Sequence, residues 1–321
     1  MTRSWPLLSL PVIVVAICIG FAPLLHDLQA QWNDAYGAMS HGYLVFALAG
    51  YLAVRAWRSG GGPPAARPWW LAAIPLVALL GVAWWLESRQ IGTGRAIVLP
   101  PLLLAVLSLA FGPAVLQRLA WPVAFCYFGL PVWYPFNSLL QWATTTVSTA
   151  IVHLTGVPVY VEGNFVHITA GVFEIASGCA GLNYFIVALT IGAFAATLYL
   201  HRWSSRLTLF VATAVAGIVA NWARVSSLIL IGHATRMQHY LVRVDHLVYG
   251  WVLFLVMMVP VALLLRRLQD REAAGNTAAI DPLDVPATAS PVAAGGGWYS
   301  AVALLVGCLA VLLPAALRGS N

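Results

Sequence analysis

The sequence has no lysine, few charged residues of either sign and only four cysteines. Charged residues make up 8% of the 321 residues, whereas hydrophobic residues make up 61%. Because soluble domains are about one quarter charged, this composition excludes an ordinary soluble protein. The mean hydropathy of +0.86 indicates a chain that crosses a membrane several times. The arginines lie mainly between apolar runs, so membrane topology explains the net charge of +6, and we expect no nucleic-acid partner.

The cysteines form no C-x-x-C pair and no zinc-like Cys/His spacing. We therefore expect no metal and no cofactor. Cys18, Cys126 and Cys308 lie inside apolar runs, where a cysteine usually packs as a small hydrophobic residue. Cys179 differs, because it stands among small residues in FEIASGCAGLNYF, just before an apolar run.

Apolar runs long enough to cross a bilayer recur along the chain. They predict an all-α polytopic membrane protein with about eight to nine transmembrane helices. The candidate runs are 6–26, 40–57, 69–86, 96–112, 117–134, 179–200, 207–231, 246–265 and 299–316. We expect a transmembrane domain over 1–270, a cytoplasmic linker over 271–298 and an additional C-terminal transmembrane helix within 299–321.

The distribution of arginine predicts the orientation of the chain. With a cytoplasmic N-terminus, ten arginines fall on the inner side and six on the outer side, as the positive-inside rule requires. Histidine has the opposite bias, since only His201 falls on the inner side. We therefore predict that the outer face carries the polar functional side chains.

The longest outer segment, 135–178, has two parts. NSLLQWATTTVSTAIVHLTG has a helix-like mixture and predicts a short helix. VPVYVEGNFVHITAGVFEIAS alternates β-branched and aromatic residues around the turn signal EGN, which predicts a β-hairpin. This hairpin leads directly into Cys179.

Three polar residues of the late spans are predicted to reach the same depth. Cys179, Arg224 and His246 each lie 18 to 23 residues from an arginine at the cytoplasmic end of the same span. At 1.5 Å per helical residue these offsets are roughly 27 to 35 Å, close to the thickness of the hydrocarbon core. The short connections make the three helices neighbours, although the sequence does not determine their rotation.

A thiol, a guanidinium and an imidazole at one depth suit acyl transfer. The thiolate attacks a carbonyl, the histidine activates the thiol or protonates the leaving amine, and the arginine stabilises the oxyanion. Simpler explanations stay open for each residue alone. In these explanations Cys179 is a packing residue, the side chain of Arg224 extends to the lipid headgroups, and His246 is a polar residue at a helix start.

Five residues are candidates for supporting or substrate-binding roles: Glu174, Asn183, Asn221, Asp245 and His41. Asn221 lies one helical turn before the embedded arginine, and Asn183 lies one turn after the cysteine. Asp245 precedes the candidate histidine and is a possible helix cap. A hairpin-edge charge at Glu174, a helix–helix hydrogen bond at Asn183 and a helix-start motif at His41 are the alternatives.

The stretches FEIASGCAGLNYF, NWARVSSLILIGH and VDHLVYGWVLF resemble the exosortases, most nearly the exosortase A group. SHGYLVFALAGYLAVRAWR and GVPVYVEGNFVHITAGVFEI also look like patterns of that family. The order of Cys, N-x-x-R and H-x-x-x-G carries the resemblance. It implies that Cys179 is the nucleophile, that Arg224 and His246 complete the catalytic set, and that Asn221 and Gly250 frame it.

The resemblance also implies a function and a place. Exosortases are inner-membrane cysteine proteases and expected transpeptidases of Gram-negative bacteria, associated with exopolysaccharide production. Their substrates carry a C-terminal PEP-CTERM signal, made of a Pro-Glu-Pro motif, a transmembrane helix and an Arg-rich tail. The lipid bilayer and such substrates are the expected partners, and the active site is expected at the periplasmic face.

Two hypotheses of other classes remain. One is a transporter or lipid flippase in which Arg224 binds an anion; no internal repeat supports it. The other is a metal site on the outer face, built from His233, His239, Asp245 and His246 at irregular spacing.

Overall fold

A computed structural model describes residues 21–34, 37–59, 70–89, 91–243 and 246–277. The chain is mostly helical and divides into two compact units between Tyr134 and Pro135. The helices and strands are α1 (Ala22–Asn33), α2 (Gly42–Ser59), α3 (Ala73–Ser88), α4 (Gly92–Phe111), α5 (Ala114–Phe125), α6 (Asn137–Leu154), β1 (Val159–Glu162), β2 (Phe165–Ile168), β3 (Gly171–Glu174), α7 (Leu182–Tyr199), α8 (Trp203–Ala234), α9 (Tyr240–Arg243) and α10 (His246–Thr277). Short 3-10 helices cover Trp70–Ala72, Cys126–Gly129, Pro131–Phe136 and Ser177–Cys179.

The first unit contains helices α1 to α5. Its sequence sets the break between α4 and α5, because Gly112 has a φ of 85° that favours glycine and Pro113 then fixes the first turn of the next helix. A core of buried apolar residues, including Leu28, Leu102 and Leu130, joins α1 to α4, and α5 packs through a second apolar cluster that includes Val115 and Leu119. This part of the chain therefore has its own hydrophobic core.

Two polar side chains bind the 3-10 helix that follows α5 in the first unit. The buried His41 donates from Nε2 to the carbonyl of Phe128 at 3.0 Å, and Trp32 donates from Nε1 to the carbonyl of Gly129 at 2.9 Å. The indole of Trp32 lies directly on Gly42, where a Cβ would overlap the ring. These contacts satisfy carbonyls that the broken helix leaves without intrahelical donors.

In the second unit, α7 and α8 pack closely through small residues. A Cβ at Gly192 would overlap Thr213, and a Cβ at Gly217 would come within 2.8 Å of the carbonyl oxygen of Tyr184. Small residues at such contacts allow two backbones to approach, which is typical of helix pairs in membranes. The sequence of these two spans therefore dictates their proximity.

Helix α10 packs along α8 and reaches the start of that helix. Its buried Glu272 accepts hydrogen bonds from the backbone N–H groups of His201 at 2.8 Å and Arg202 at 3.0 Å. These N–H groups precede the first turn of α8 and have no intrahelical acceptor, so a carboxylate stabilises them. The helix continues to Thr277, past the predicted start of the linker at residue 271. Residues 278–321, with the rest of the linker and the last predicted span, lie outside the described residues.

The segment before Cys179 folds as a three-stranded antiparallel sheet, so the single hairpin predicted from the sequence was incomplete. Strands β1 and β2 meet at the predicted turn, where Gly163 has a φ of 60° in a two-residue loop. Strand β3 then pairs with the other side of β2. The extra strand arises because Gly171, after Thr169 and Ala170, allows a second reversal of the chain.

One face of this sheet covers the ends of two helices. Val166, Ile168 and Ile175 are buried against Val152 of α6 and Ile229 of α8. The opposite face exposes a row of apolar side chains that includes Tyr160, Phe165 and Val172. The alternation predicted from the sequence is therefore present, and it fixes which face packs inward.

Within the described residues, four helices are long and apolar enough to span a membrane: Thr93–Phe111, Ser177–Tyr199, Trp203–Ala234 and Val248–Gly275. A fifth candidate arises if Ala114–Gly129 and Pro131–Leu154 form one broken span. The predicted count of eight to nine is not confirmed. The predicted span at 40–57 lies largely in α2, which also contains Arg58 and is not among these candidates. The predicted span at 69–86 corresponds to a shorter apolar helix, Ala73–Leu86. The predicted span at 299–316 and most of that at 6–26 lie outside the described residues.

Candidate active site

Cys179 ends a 3-10 turn that connects β3 to α7. The turn is held at its start by Gln141, which donates from Nε2 to the carbonyl of Ile175 at 2.6 Å. The N–H group of Cys179 donates to the carbonyl of Ala176 at 2.8 Å. Its side chain is half-buried and packs at the edge of the cluster beneath the sheet. The thiol therefore lies at the end of the span next to the sheet, as its position in the sequence predicted.

The two glycines near the cysteine differ in the space around them. Gly181 has a φ of 94° at the start of α7, and a Cβ there would come within 2.6 Å of the Asn221 side chain. Both the backbone conformation and the contact exclude larger residues at this position. A Cβ at Gly178 would meet nothing within 4 Å, so that glycine leaves open space beside the thiol.

Two side chains hold the backbone that carries the thiol. Asn221 donates from Nδ2 to the carbonyl of Cys179 at 3.0 Å and to the hydroxyl of Thr144 at 3.1 Å. Thr144 in turn donates to the carbonyl of Ala180 at 3.0 Å. Asn221 and Thr144 are each only 1% exposed, so water does not replace these bonds. We call this pair of residues the clamp.

Arg224 lies three residues after Asn221 on α8 and is only 4% exposed. Its guanidinium carbon lies 5.7 Å from the ring centroid of Tyr184, a cation–π geometry. Gly250 of α10 packs on it so closely that a Cβ would come within 2.6 Å of the arginine Cδ. The arginine is therefore buried among protein groups and does not extend to headgroups along a lipid-facing surface.

A cavity of about 170 Å³ brings the cysteine and the arginine together. Cys179, Arg224 and Glu174 contribute the polar lining. The remaining lining residues are Phe173, Ile175, Val225, Leu228, Ile229 and Val242. A nucleophilic sulfur and a cationic donor on one small cavity can attack a carbonyl and stabilise the oxyanion that forms.

The candidate histidine is placed only by its backbone. Helix α10 begins at His246, whose side chain lies outside the described residues, as does Asp245. The first turn of α10 is tied to α8, because Tyr249 donates from its hydroxyl to Ser227 Oγ at 2.8 Å. His246 thus starts the helical turn that ends at the Gly250 contact with the arginine. Its predicted catalytic role stays a prediction.

The supporting candidates fall into different places. Glu174 lines the cavity and Asn221 belongs to the clamp. Asn183 is half-buried in the first turn of α7, and its Oδ1 atom is buried without a hydrogen-bond partner. His41 lies in the first unit, bonded to the carbonyl of Phe128, and its predicted place in a substrate cleft stays a prediction.

Sequence reasoning missed Thr144 and Tyr184. Thr144 stands in a run of three threonines on α6, and nothing in that run distinguishes the member that bonds the cysteine loop. Tyr184 lies five residues after the cysteine and packs with Trp251 and Phe254 of α10. An aromatic residue in an apolar run has packing as its ordinary role, so only the folded structure identifies the contact with the arginine.

The described residues give no support to the hypothesis of a metal site on the outer face. Among the residues that the structure describes, no three His, Cys, Asp or Glu side chains gather as metal ligands. His233 instead bonds from Nδ1 to Thr169, and His239 accepts from the N–H group of Leu241. The other two residues of that hypothesis have side chains outside the described ranges.

Comparison with known proteins gives one result. The sequence model of a family described as transmembrane exosortase matches residues 32–263, which cover part of each unit and all three candidate catalytic residues. No curated protein and no solved structure matches this chain.

Proposed function

This chain belongs to the transmembrane exosortase family, and we propose that it is a membrane cysteine peptidase that processes the C-terminal sorting signal of exported proteins. The observation that carries this proposal is the cavity lined by both Cys179 and Arg224. The resemblance described above suggests PEP-CTERM proteins as the substrates and transpeptidation as the reaction. It also suggests the inner membrane as the location, with the site at the periplasmic face, and an association with exopolysaccharide production.

In the proposed reaction, the thiolate of Cys179 attacks the carbonyl carbon of the scissile peptide bond. The negative charge that develops on the carbonyl oxygen is stabilised by the guanidinium of Arg224. His246 accepts the thiol proton and gives it to the leaving amine, so that the C–N bond breaks and a thioester remains. Water or an amine then attacks the thioester and restores the thiol.

The surroundings of Arg224 support this role. The side chain is buried, and it rests on Tyr184 and on the backbone of Gly250, so little conformational freedom is lost when it meets a substrate oxygen. In a site with little water, a fixed cation stabilises an oxyanion more strongly than it would in bulk solvent. The clamp places the sulfur in the same way, because it fixes the carbonyls of Cys179 and Ala180.

Co-expression with a tagged PEP-CTERM protein tests the proposal. Wild type is compared with Cys179→Ala and Cys179→Ser by gel shift, and mass spectrometry locates the cut. The matched control is Cys126→Ala, because Cys126 is the other free cysteine within the described ranges and lies in the first unit. We expect cleavage with wild type and the control only. Cleavage by both Cys179 variants would refute the proposal and favour a transporter that depends on Arg224.

A further inference from the structure

The outer edge of strand β3 runs beside the cavity that contains Cys179. We propose that this edge binds the substrate as an added β-strand and guides its scissile bond to the thiol. The partner is a polypeptide in extended conformation, recognised first through its main-chain groups. This inference rests on the proposed function and adds to it the way in which the substrate binds.

The hydrogen-bond pattern of the sheet shows which groups face outward. The N–H group of Ile175 donates to the carbonyl of Asn164 at 2.8 Å, so these two residues form a hydrogen-bonded pair. In an antiparallel ladder such pairs alternate with pairs that do not exchange bonds. By the register of β2 and β3, Phe173 therefore bonds toward β2, whereas the N–H and C=O groups of Val172 and Glu174 point away from it.

These outward groups are not used by the backbone of the described part of the chain. Among the residues that the structure describes, no backbone hydrogen bond joins Val172 or Glu174 to a segment on that side. Both residues are also exposed at their side chains. An unpaired edge of this kind is a template for another strand, and peptide-binding domains use such edges to hold extended ligands.

The edge is continuous with the proposed catalytic cavity. Phe173, Glu174 and Ile175 line that cavity together with Cys179. A peptide paired with Val172 and Glu174 would thus pass over the opening that the thiol lines. The strand at the other end of the sheet, β1, packs near α6 and contributes no residue to the cavity lining. The edge at β3 is therefore the proposed binding site, and the edge at β1 serves as its control.

An extended partner also fits the chemistry. A nucleophile attacks a peptide carbonyl that is free of helical hydrogen bonds, and a strand at a sheet edge presents alternate carbonyls away from the ladder. Main-chain pairing tolerates different side chains, whereas the cavity beside Glu174 and Arg224 selects the residues near the cut.

Disulfide cross-linking tests the proposal. The enzyme carries a single cysteine, with all four native cysteines replaced by alanine and either Val172→Cys or Glu174→Cys added. The partner is the tagged PEP-CTERM protein with single cysteines at successive positions around the cut site. Tyr160→Cys is the matched control, because it is exposed on the same face of the sheet but lies on β1.

We expect cross-links from the β3 positions at alternate substrate residues, and the substrate residue that cross-links most strongly should differ by two positions between Val172→Cys and Glu174→Cys. Equal cross-linking from Tyr160→Cys, a spacing of three to four residues, or no cross-link at all would overturn the proposal. Wild-type cleavage of the same substrate variants is measured in parallel. Its absence refutes the proposed function, whereas cleavage without the alternating cross-links refutes only the strand model.

A proline provides an independent test. Val172→Pro removes an outward N–H group without removing a bond to β2, and edge positions tolerate proline for that reason. Processing at limiting substrate should fall roughly two- to twelvefold, the effect of one main-chain hydrogen bond, whereas Val172→Thr should process normally. Equal processing by the two variants would contradict the proposal.

Discussion

Replacement of Thr144 by valine tests whether the clamp positions the nucleophile. Valine has nearly the same shape as threonine but has no hydroxyl, so Thr144→Val removes the bond to Ala180 and the bond from Asn221 together. Each hydrogen bond contributes about 0.5 to 1.5 kcal/mol net, so the loss of both costs about 1 to 3 kcal/mol. If this free energy orders the cysteine loop, the processing rate falls by about five- to 150-fold.

The assay is the rate of processing of the tagged substrate, measured with the rate of alkylation of Cys179 by iodoacetamide. Thr145→Val is the matched control, because Thr145 is also buried on α6 but donates only along its own helix, to Gln141 at 3.0 Å. Thr144→Ser keeps the hydroxyl and should recover most of the rate. Thr144→Val with the rate of wild type, or a fall of equal size in Thr145→Val, would refute the reasoning.

Three further changes test other contacts. Gly250→Ala places a methyl group within 2.6 Å of the Arg224 Cδ atom. This overpacking should lower the free energy of unfolding by about 1 to 3 kcal/mol and slow processing. Wild-type stability together with a wild-type rate would contradict the contact. Glu272→Gln removes the charge that caps α8 and should cost about 1 kcal/mol in thermal unfolding in detergent, whereas the exposed Glu162→Gln should cost little. Gly163→Ala forces a side chain into a φ of 60°; it should destabilise the sheet by about 1 kcal/mol relative to Gly163→Asn, and equal stability of the two would contradict the turn.

The sequence predicted the helices best where apolar runs are long and uninterrupted. The runs at 179–200, 207–231 and 246–265 correspond to α7, α8 and α10. Prediction was poorer around Gly112 and Pro122, since glycine and proline shorten helices in a way that depends on the packing of their neighbours. The third strand was missed because ITAG resembles the end of a hairpin as much as a turn between two strands.

For the candidate site, the sequence predicted the residue types but not their contacts. The spacing of residues along each span predicts how deep a side chain lies in the membrane, but not which way the helix turns it. The folded structure was therefore needed to show that Cys179 and Arg224 line the same cavity. Asn221 was expected near the arginine as a residue of the same helix face. Its bond to the cysteine carbonyl depends on the approach that Gly181 permits, and that approach is a tertiary feature.

The bond of Glu272 to the start of α8 has a mechanical consequence. Helices α8 and α10 both have 32 residues. They are joined at one end by this carboxylate and at the other end by Tyr249 and Ser227. Glu272 lies 26 positions after His246, which corresponds to about 39 Å of helix. Because the two helices are bonded near both ends, sliding one along the other would break these hydrogen bonds. The separation between the histidine and the arginine along the helix axes is therefore set partly by a carboxylate at the far end of α10.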